Sequence, residues 1–497
     1  MIARLRATAG RPQLRVALVV VALLAVTALA GWLRLSDLGR AGLGNHFYAA
    51  AVWSMSGSWH NFFYAAYDPA GTLIVDKPPL ALWLQVAFTK ALGFEGRSMI
   101  LPMALASTLA VPLAFGAARR SHGVAAGLVA AVLLAVLPES VATARDSTMD
   151  ALMMALLAAS AWLLVAAVEG RNARLLIAWA VLMGVIFNVK YFEGFVVMPA
   201  AALYIGVRWR HELRERLRLF AGAALVLAAV SLLWVGFVEL TPASARPIVM
   251  NDASNSVVSL IARYNGLERV LPGEVTIFEP YEGASDATVQ AYEAVAAQFG
   301  VGDAGLTRLF DGANGPLLGM PAAFALLGAL AVLWRRRDWL DGPGLFWLAW
   351  ALTGVALFSF SNRAAAHYTE SYAPALAVLG AVGVVELWRA REAWRSVALP
   401  PGQMANARRI RTEGQSLGRC ETMREHQQTA APRHGPRAWT TLRLVCWSAQ
   451  RTLQAVRRAL RCPARRGLGR RCCSLRARRL IPRPGSLRVG SPNGPRR

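Results

Sequence analysis

Residues 68 to 79 read Asp68-Pro-Ala-Gly-Thr-Leu-Ile-Val-Asp76-Lys77-Pro78-Pro79. Asp76 and Lys77 place a carboxylate beside an ammonium. The two prolines that follow stiffen the backbone and stop a preceding helix from running through. A fixed lysine suits a phosphate, and a carboxylate suits taking a proton from a hydroxyl. Taken alone, the same four residues also describe an ordinary solvated turn. Lysine is rare in this chain: Lys77, Lys90 and Lys190 are the only ones, and every other basic residue apart from histidine is arginine. A compact point charge at position 77 is thus a specific chemical feature rather than a product of composition.

The elements that must position this loop are apolar. The chain has 497 residues, 55% hydrophobic and only 17% charged. That balance excludes an ordinary soluble enzyme and points to an all-α polytopic membrane protein. Apolar runs predict about ten transmembrane helices, at 16–33, 99–118, 123–138, 150–168, 175–187, 195–207, 219–238, 317–334, 344–361 and 372–388. The basic N-terminus 1–15 and the run 16–33 read as a cytoplasmic segment followed by an uncleaved signal anchor.

Arginine placement orients the bundle. Arg4, Arg6, Arg11 and Arg15, then Arg119-Arg120, the Arg208–Arg218 cluster, Arg335-Arg336-Arg337 and Arg389 fall on one side. The positive-inside rule makes that side cytoplasmic. The opposite, extracytoplasmic side receives the loop 34–98, the turns 138–150 and 188–194, the large loop 239–316 and the short loop 362–371. Residues 45–56 and 80–92 predict short helices lying along the membrane surface, and 239–316 predicts a small extracytoplasmic subdomain.

The formal charge of +25 is uneven. Residues 401–497 hold 23 arginines against three glutamates (Glu413, Glu421, Glu425), a net of +20, which leaves +5 for the first 400 residues. All five cysteines (Cys420, Cys446, Cys462, Cys472, Cys473) lie there too. Arginine without lysine, among Ala, Pro, Gly and Cys, is what a GC-rich gene yields out of frame. The tail is read as disordered or artefactual, with no nucleic-acid partner assigned to it. Cys472-Cys473 has no companions at zinc-ligand spacing.

Further stretches extend the pattern: Asn45-His46-Phe-Tyr48-Ala-Ala-Ala-Val52, Ser58-Trp-His-Asn-Phe-Phe63, Arg145-Asp-Ser-Thr-Met-Asp150, Leu240-Thr-Pro-Ala-Ser-Ala-Arg-Pro247, Tyr264-Asn-Gly-Leu267, and His367-Tyr368-Thr369 ahead of Pro374. Together with the Asp68–Pro79 stretch, and over roughly residues 15–395, the chain resembles bacterial members of glycosyltransferase family 39. That family includes protein O-mannosyltransferases and lipid A aminoarabinose transferases. The resemblance implies a GT-C fold with its active site on the extracytoplasmic face, and a donor sugar carried on a polyprenyl phosphate. The acceptor would be a protein, a lipid A-like lipid or an envelope glycan. The sequence shows no glycine-rich phosphate loop, which suits a donor that is not a nucleotide.

Within that resemblance Lys77 corresponds to the family's phosphate-contacting lysine. Arg145 is a second phosphate candidate, able to bind in a bidentate fashion; Arg363 is a third, for which snorkelling at the membrane interface is the simpler account. Asp76 and Asp150 are candidates for a general base or for a carboxylate held by a divalent metal, although no cofactor is read from the sequence. Relatives carry an acid directly after the position of Asn45, where this chain has His46. Histidine can act as a base near neutral pH, or can mark altered chemistry. Asn45, Tyr48, Asp68, His367 and Tyr368 are candidate substrate contacts. Lys190 and Glu193 fit an ion pair as well as a substrate contact, Arg145-Asp146 a local salt bridge, and Trp59, His60, Phe62 and Phe63 an interfacial aromatic belt.

Attack of an acceptor hydroxyl in line with the departing phosphate would invert the anomeric carbon. A transporter or flippase is the competing class. Transporters concentrate charge near the bilayer midplane and often repeat a half. Here charge gathers in the outer loops and no internal repeat is visible, which favours the enzyme over that class. An inactive relative of family 39 is the third reading, and His46 is its motive.

Overall fold

A computed structural model of the chain describes residues 12–209, 212–270, 314–334, 342–361 and 365–397, with isolated positions between 285 and 310. Arg363, the tail 401–497 and most of the second outer loop beyond 270 lie outside the described residues.

Seven helical stretches among the described residues are long and apolar enough to cross a membrane. They are built on α1 (Pro12–Leu35), α5 (Gly96–Ala135), α7 (Asp150–Glu169), α8 (Ala173–Lys190), α10 (Leu213–Leu240), α13 (Pro343–Phe360) and α14 (Ala373–Val397). Each of the ten expected spans falls on a helix, but not each is a separate full-length crossing. The runs 99–118 and 123–138 belong to α5, which is interrupted at Gly123, where φ is 86° and ψ is 174°. A Cβ at Gly127 would stand 3.0 Å from Arg119 Cβ and from the Phe115 ring. Residues eight and twelve apart in a straight helix would be separated by about 12 and 18 Å. The element is therefore a helical hairpin turned at Gly123, whose left-handed backbone only glycine adopts freely. The run 195–207 is corrected to α9 (Met198–Arg208), 11 residues long. At 1.5 Å per residue it is too short for a 30 Å hydrocarbon layer. The run 317–334 corresponds to α12 (Asn314–Trp334).

The bundle packs through small side chains. In α5 and α7, Ala110, Ala114, Ala117, Ala130, Ala158 and Ala161 are fully or almost fully buried. Such residues let helix backbones approach closely, the usual means of association in lipid. On α10 the reverse face exposes Leu225, Leu232, Leu233 and Phe237, a surface suited to acyl chains. Arg34, at the end of α1, is fully buried. Its guanidinium donates to Ser107 Oγ at 2.8 Å and to the carbonyls of Ala135 and Leu134 at 2.8 and 3.0 Å. A cation thus closes the C-terminal end of α5, where the last carbonyls have no helical partners.

The first outer loop is ordered in short pieces, as expected from 45–56 and 80–92. Helix α2 (His46–Met55) is capped by Asn45, whose side chain accepts from the Phe47 and Tyr48 amides. Helix α3 (Trp59–Tyr64) is capped in the same way by Ser58. Strand β1 (Leu73–Ile74) pairs in parallel with β2 (Ile248–Val249) of the second outer loop. Helix α4 (Leu80–Leu92) starts directly after Pro79. Asp76, Lys77 and Pro78 are thereby held between a ladder that ties the two outer loops together and a helix start. The ladder was not expected from the sequence, because two residues per strand are too few to carry an alternating pattern.

Candidate functional site

Five separate segments bring polar side chains to one place at the outer end of the bundle. Asp76 and Lys77, each 6% exposed, come from the loop before α4. Lys77 Nζ lies 2.7 Å from Asp76 Oδ2 and donates to Asn265 Oδ1 at 3.1 Å. Asn265 in turn donates from Nδ2 to the backbone carbonyl of Asp76 at 2.9 Å. This asparagine follows α11 (Val257–Ala262) in a turn that passes close to the end of the helix. A Cβ at Gly266 would stand 2.5 Å from the Ala262 carbonyl oxygen, so glycine is required there. The turn leads into a 3-10 segment, Leu267–Arg269.

Asp150 opens α7 and is buried. It pairs with Lys190 at the end of α8, and Lys190 also donates to Glu193 at 2.9 Å. Between these two, Tyr191 takes a left-handed φ of 43°, which is uncommon for a residue with a side chain. That reversal turns the chain from α8 into the 3-10 segment Tyr191–Phe195 and lets Lys190 and Glu193 meet. Tyr368, on the 3-10 segment Ala366–Ser371, accepts from Arg269 Nη1 at 2.9 Å, and Lys190 Nζ lies 4.6 Å from the centre of its ring.

These groups border one cavity of about 510 Å³. Its polar wall carries Lys77, Lys190, Glu193, Asn265, Arg269 and Tyr368, and its apolar wall carries Phe192, Leu267, Val270, Leu357 and Phe358. Cations and an apolar flank on one cavity fit an anion that bears a hydrocarbon chain.

Electrostatics outside the spanning segments follow from burial and from these neighbours. Burial lowers the Lys77 ammonium to about 8, although Asp76 beside it opposes the shift. Burial pushes the Asp76 carboxyl up, but the charge and hydrogen bond of Lys77 and the charge of Arg269 outweigh it, so Asp76 titrates below the usual carboxylate range. Burial would weaken the Arg269 charge; the adjoining Tyr368 and Glu193 more than restore it. Burial lowers His367 to about 4 despite Asp150, leaving a neutral imidazole near pH 7. Burial, then Asp76 and Asp150, raise the Tyr48 hydroxyl well above its ordinary value, so it remains a donor.

The sequence comparisons converge with this geometry. The family model for dolichyl-phosphate-mannose-protein mannosyltransferases matches residues 76–234. YycA of Bacillus subtilis, which bears the name of a mannosyltransferase, is 28% identical over 78% of this chain and 67% of its own. YkcB of the same organism, similarly named, is 27% identical over 76% and 64%. This chain therefore spans about two thirds of the length of those curated relatives. The crystal structure of ArnT from Cupriavidus metallidurans bound to undecaprenyl phosphate superposes with a TM-score of 0.53 at 18% identity, over 76% of this chain and 63% of that one. The chain has a GT-C fold. The resemblance read from the motifs is thereby shown, as is the all-α, multi-pass architecture of a membrane protein.

Within the GT-C fold, Asp76, Lys77, Asp150, Tyr48, His367 and Tyr368 are brought together. The other candidates are placed elsewhere. Arg145 donates to the Leu33 carbonyl at 3.0 Å and reaches toward Ser36, so it fastens the end of α1 rather than lining the cavity. Asn45 caps α2, and its amide donates to Asp146 Oδ1 and Ser147 Oγ at 2.8 Å each. Asp68 accepts from the Thr72 and Leu73 amides at 2.9 and 2.8 Å and closes the turn before β1. His46 is exposed on the first turn of α2. Asp76, Asp150 and Glu193 each pair with a lysine, and among the described residues no group of three or more His, Cys, Asp or Glu side chains could hold a metal.

Arg269 was not singled out from the sequence. Its signal is faint: an arginine four residues after Asn265, on the side that the positive-inside rule leaves poor in arginine. Lys190 carried a clearer one, since two of the chain's three lysines face this cavity.

Proposed function

We propose that this chain transfers a sugar from a polyprenyl-phosphate-linked donor to an acceptor hydroxyl at the extracytoplasmic face of a bacterial plasma membrane, with inversion. The observation that carries this reading is the convergence of Lys77, Lys190 and Arg269 on a single cavity with an apolar wall. The phosphate lies against the cations and the first isoprene units against Phe192, Leu267 and Phe358. The undecaprenyl phosphate in the ArnT crystal structure is a ligand of this chemistry on a similar fold. Arg269 holds the phosphate through paired N–H donors, while Lys77 faces the charge that develops on the leaving oxygen. Asp76, beside Lys77 on the cavity wall, takes the proton of the acceptor hydroxyl. Lysines here supply the charge that a divalent ion would supply, so transfer proceeds unchanged in the presence of a chelator.

Mass analysis of envelope glycans and glycoproteins tests the reading. Deleting the gene removes a sugar from an acceptor, and a Lys77→Ala copy fails to restore it while the normal copy does. Unchanged glycans in the deletion strain would overturn the assignment. The sidedness is tested separately, with the native cysteines of the tail removed. A cysteine at exposed Ala70 reacts with an impermeant thiol reagent in intact cells, and one at Arg214 reacts only after permeabilisation. The opposite pattern would place the cavity on the cytoplasmic side.

A further inference from the structure

The charges around the cavity are nearly balanced before any ligand binds. Lys77 faces Asp76, and Lys190 faces both Asp150 and Glu193. Arg269 has no carboxylate within 4.0 Å among the described residues; its hydrogen-bond partners are the Tyr368 hydroxyl, Asn265 Oδ1 and the Tyr264 carbonyl. Three cations thus stand against three carboxylates, and Arg269 is the cation with no carboxylate within 4.0 Å among the described residues. A sugar linked to a lipid phosphate is a phosphodiester with a single negative charge. The lipid phosphate left after transfer is a monoester, which carries up to two negative charges at and above neutral pH. The reaction therefore creates a charge that the resting cavity does not accommodate.

We infer that Asp76 and Lys77 act as a charge-exchange pair, in which protonation of Asp76 frees Lys77 for the newly formed phosphate charge. This rests on the donor chemistry proposed above and adds a function for the ion pair. The acceptor oxygen forms a bond to the anomeric carbon as the bond from that carbon to the phosphate oxygen breaks, and the bonding electrons leave with the phosphate. The acceptor proton moves to Asp76 Oδ1. Asp76 thereby loses its negative charge at the same time as the phosphate gains one. Lys77, 2.7 Å from Asp76 Oδ2, changes counter-ion without travelling. Two features suit this exchange. Asp76 offers only Oδ2 to the lysine, so Oδ1 is not engaged by the ammonium. Asn265 holds both members, accepting from Lys77 Nζ and donating to the Asp76 carbonyl, so the ammonium stays on the cavity wall when the carboxylate is neutral. Net charge in the site is unchanged by the reaction, which spares a low-dielectric cavity the cost of accumulating it.

The test measures binding of undecaprenyl phosphate to the full-length protein in detergent at pH 7, below the Lys77 value of about 8 and above the second ionisation of a phosphate monoester at about 6. Asp76→Asn imitates the protonated carboxyl with little change of shape. It should bind the lipid phosphate roughly 10-fold more tightly than the normal protein, because a negative charge beside Lys77 has been removed. The same variant should lose transfer. The gain in affinity should vanish in Asp76→Asn/Lys77→Ala. Asp76→Ala, which also removes the charge, serves as a second variant, and thermal melting confirms that each protein is folded. Equal or weaker binding by both Asp76 variants overturns the exchange, as does a gain that persists without Lys77; in either case binding by the normal protein that weakens in Arg269→Ala leaves the lipid-phosphate reading standing. No binding by the normal protein or by either Asp76 variant overturns both.

Discussion

Two groups of buried charge lie in this bundle, and they differ in what they face. The first lies at the cavity: Lys77, Lys190, Glu193 and Arg269 line it, and Asp76 and Asp150 stand behind the two lysines as their counter-ions. The second is sealed. Arg34 commits its guanidinium to Ser107 and to helix-end carbonyls, Glu139 accepts from Thr143 at 2.8 Å, and Glu370 accepts from Ser140 at 2.6 Å. Burial, helped by the nearby Glu139 and opposed by the Ser140 hydrogen bond, raises the Glu370 carboxyl to about 8, so it is largely neutral at pH 7. Arg34, Glu139 and Glu370 are buried, and so are Asp76, Lys77, Asp150 and Lys190, while Glu193 and Arg269 are half-buried. Burial of charge therefore does not by itself mark a ligand site here. The cavity group is distinguished by lysine and arginine side chains that line open space, whereas the sealed group turns its polar capacity onto the protein's own helix ends and hydroxyls.

The contrast is broken most severely from the cavity side. Lys77→Ala should lower transfer by roughly 100-fold or more, since a cation facing a developing phosphate charge stabilises the transition state by several kcal/mol. The melting temperature should fall as well, because Asp76 loses its buried counter-ion, so transfer is compared per folded molecule. Lys77→Arg should recover only part of the activity, because a planar fork does not reproduce a point charge. Initial rates and melting curves on the same preparations check both statements, and normal transfer by Lys77→Ala would remove the functional half of the comparison.

Arg34→Ala should do the converse. It strands the Ala135 and Leu134 carbonyls and Ser107, at a cost of about 2 kcal/mol or more in stability. Transfer per folded molecule should stay close to normal. A variant with unchanged melting and no transfer would place Arg34 with the functional group instead.

A smaller effect separates the groups by pH. Lys77, at about 8 in the folded protein, is cationic below that value and neutral above it. A phosphodiester donor keeps its single charge throughout. Affinity for a polyprenyl phosphodiester should therefore be full near pH 7 and fall as pH rises through 8. Glu370 also ionises in that range, so the fall should persist in Glu370→Gln and disappear in Lys77→Arg. His367, lowered to about 4, does not titrate there. A pH dependence abolished by Glu370→Gln would tie the sealed group to binding.

The smallest effect is expected at His46. It is exposed on the first turn of α2 and is not among the cavity-lining residues. His46→Ala should keep transfer within about twofold of normal, well below the 100-fold or so that loss of a general base produces. A drop of that larger size would add a seventh charged group to the cavity side of the comparison.

The helices were legible because their signal is local. Long apolar runs identify them without reference to the rest of the chain, and Leu80–Leu92 begins where two prolines permit. The weak point was length. A glycine between two runs, as at Gly123, looks the same whether the chain turns back or continues, and only the contact of Gly127 with Arg119 and Phe115 shows the hairpin. Arg145 illustrates the same limit on the polar side. Its motif places it next to Asp146 and near Asp150, yet its guanidinium points to the end of α1.

The sequence by itself determined that this chain is a bundle of apolar helices, that its rare lysines are exceptional, and that Asp76-Lys77 sits in a stiff loop. Those properties follow from composition, periodicity and the fixed geometry of proline, which are written in neighbouring residues. Only the tertiary structure decided which charges meet. Lys77 and Asn265 are 188 residues apart, and Asp150 and Lys190 are 40 apart. Their contact depends on a parallel pairing of Leu73–Ile74 with Ile248–Val249, on the reversal at Tyr191, and on the close turn at Gly266. Each of these brings distant segments into hydrogen-bond range, and no local pattern specifies how far two loops must approach before an ammonium and an amide can share a bond.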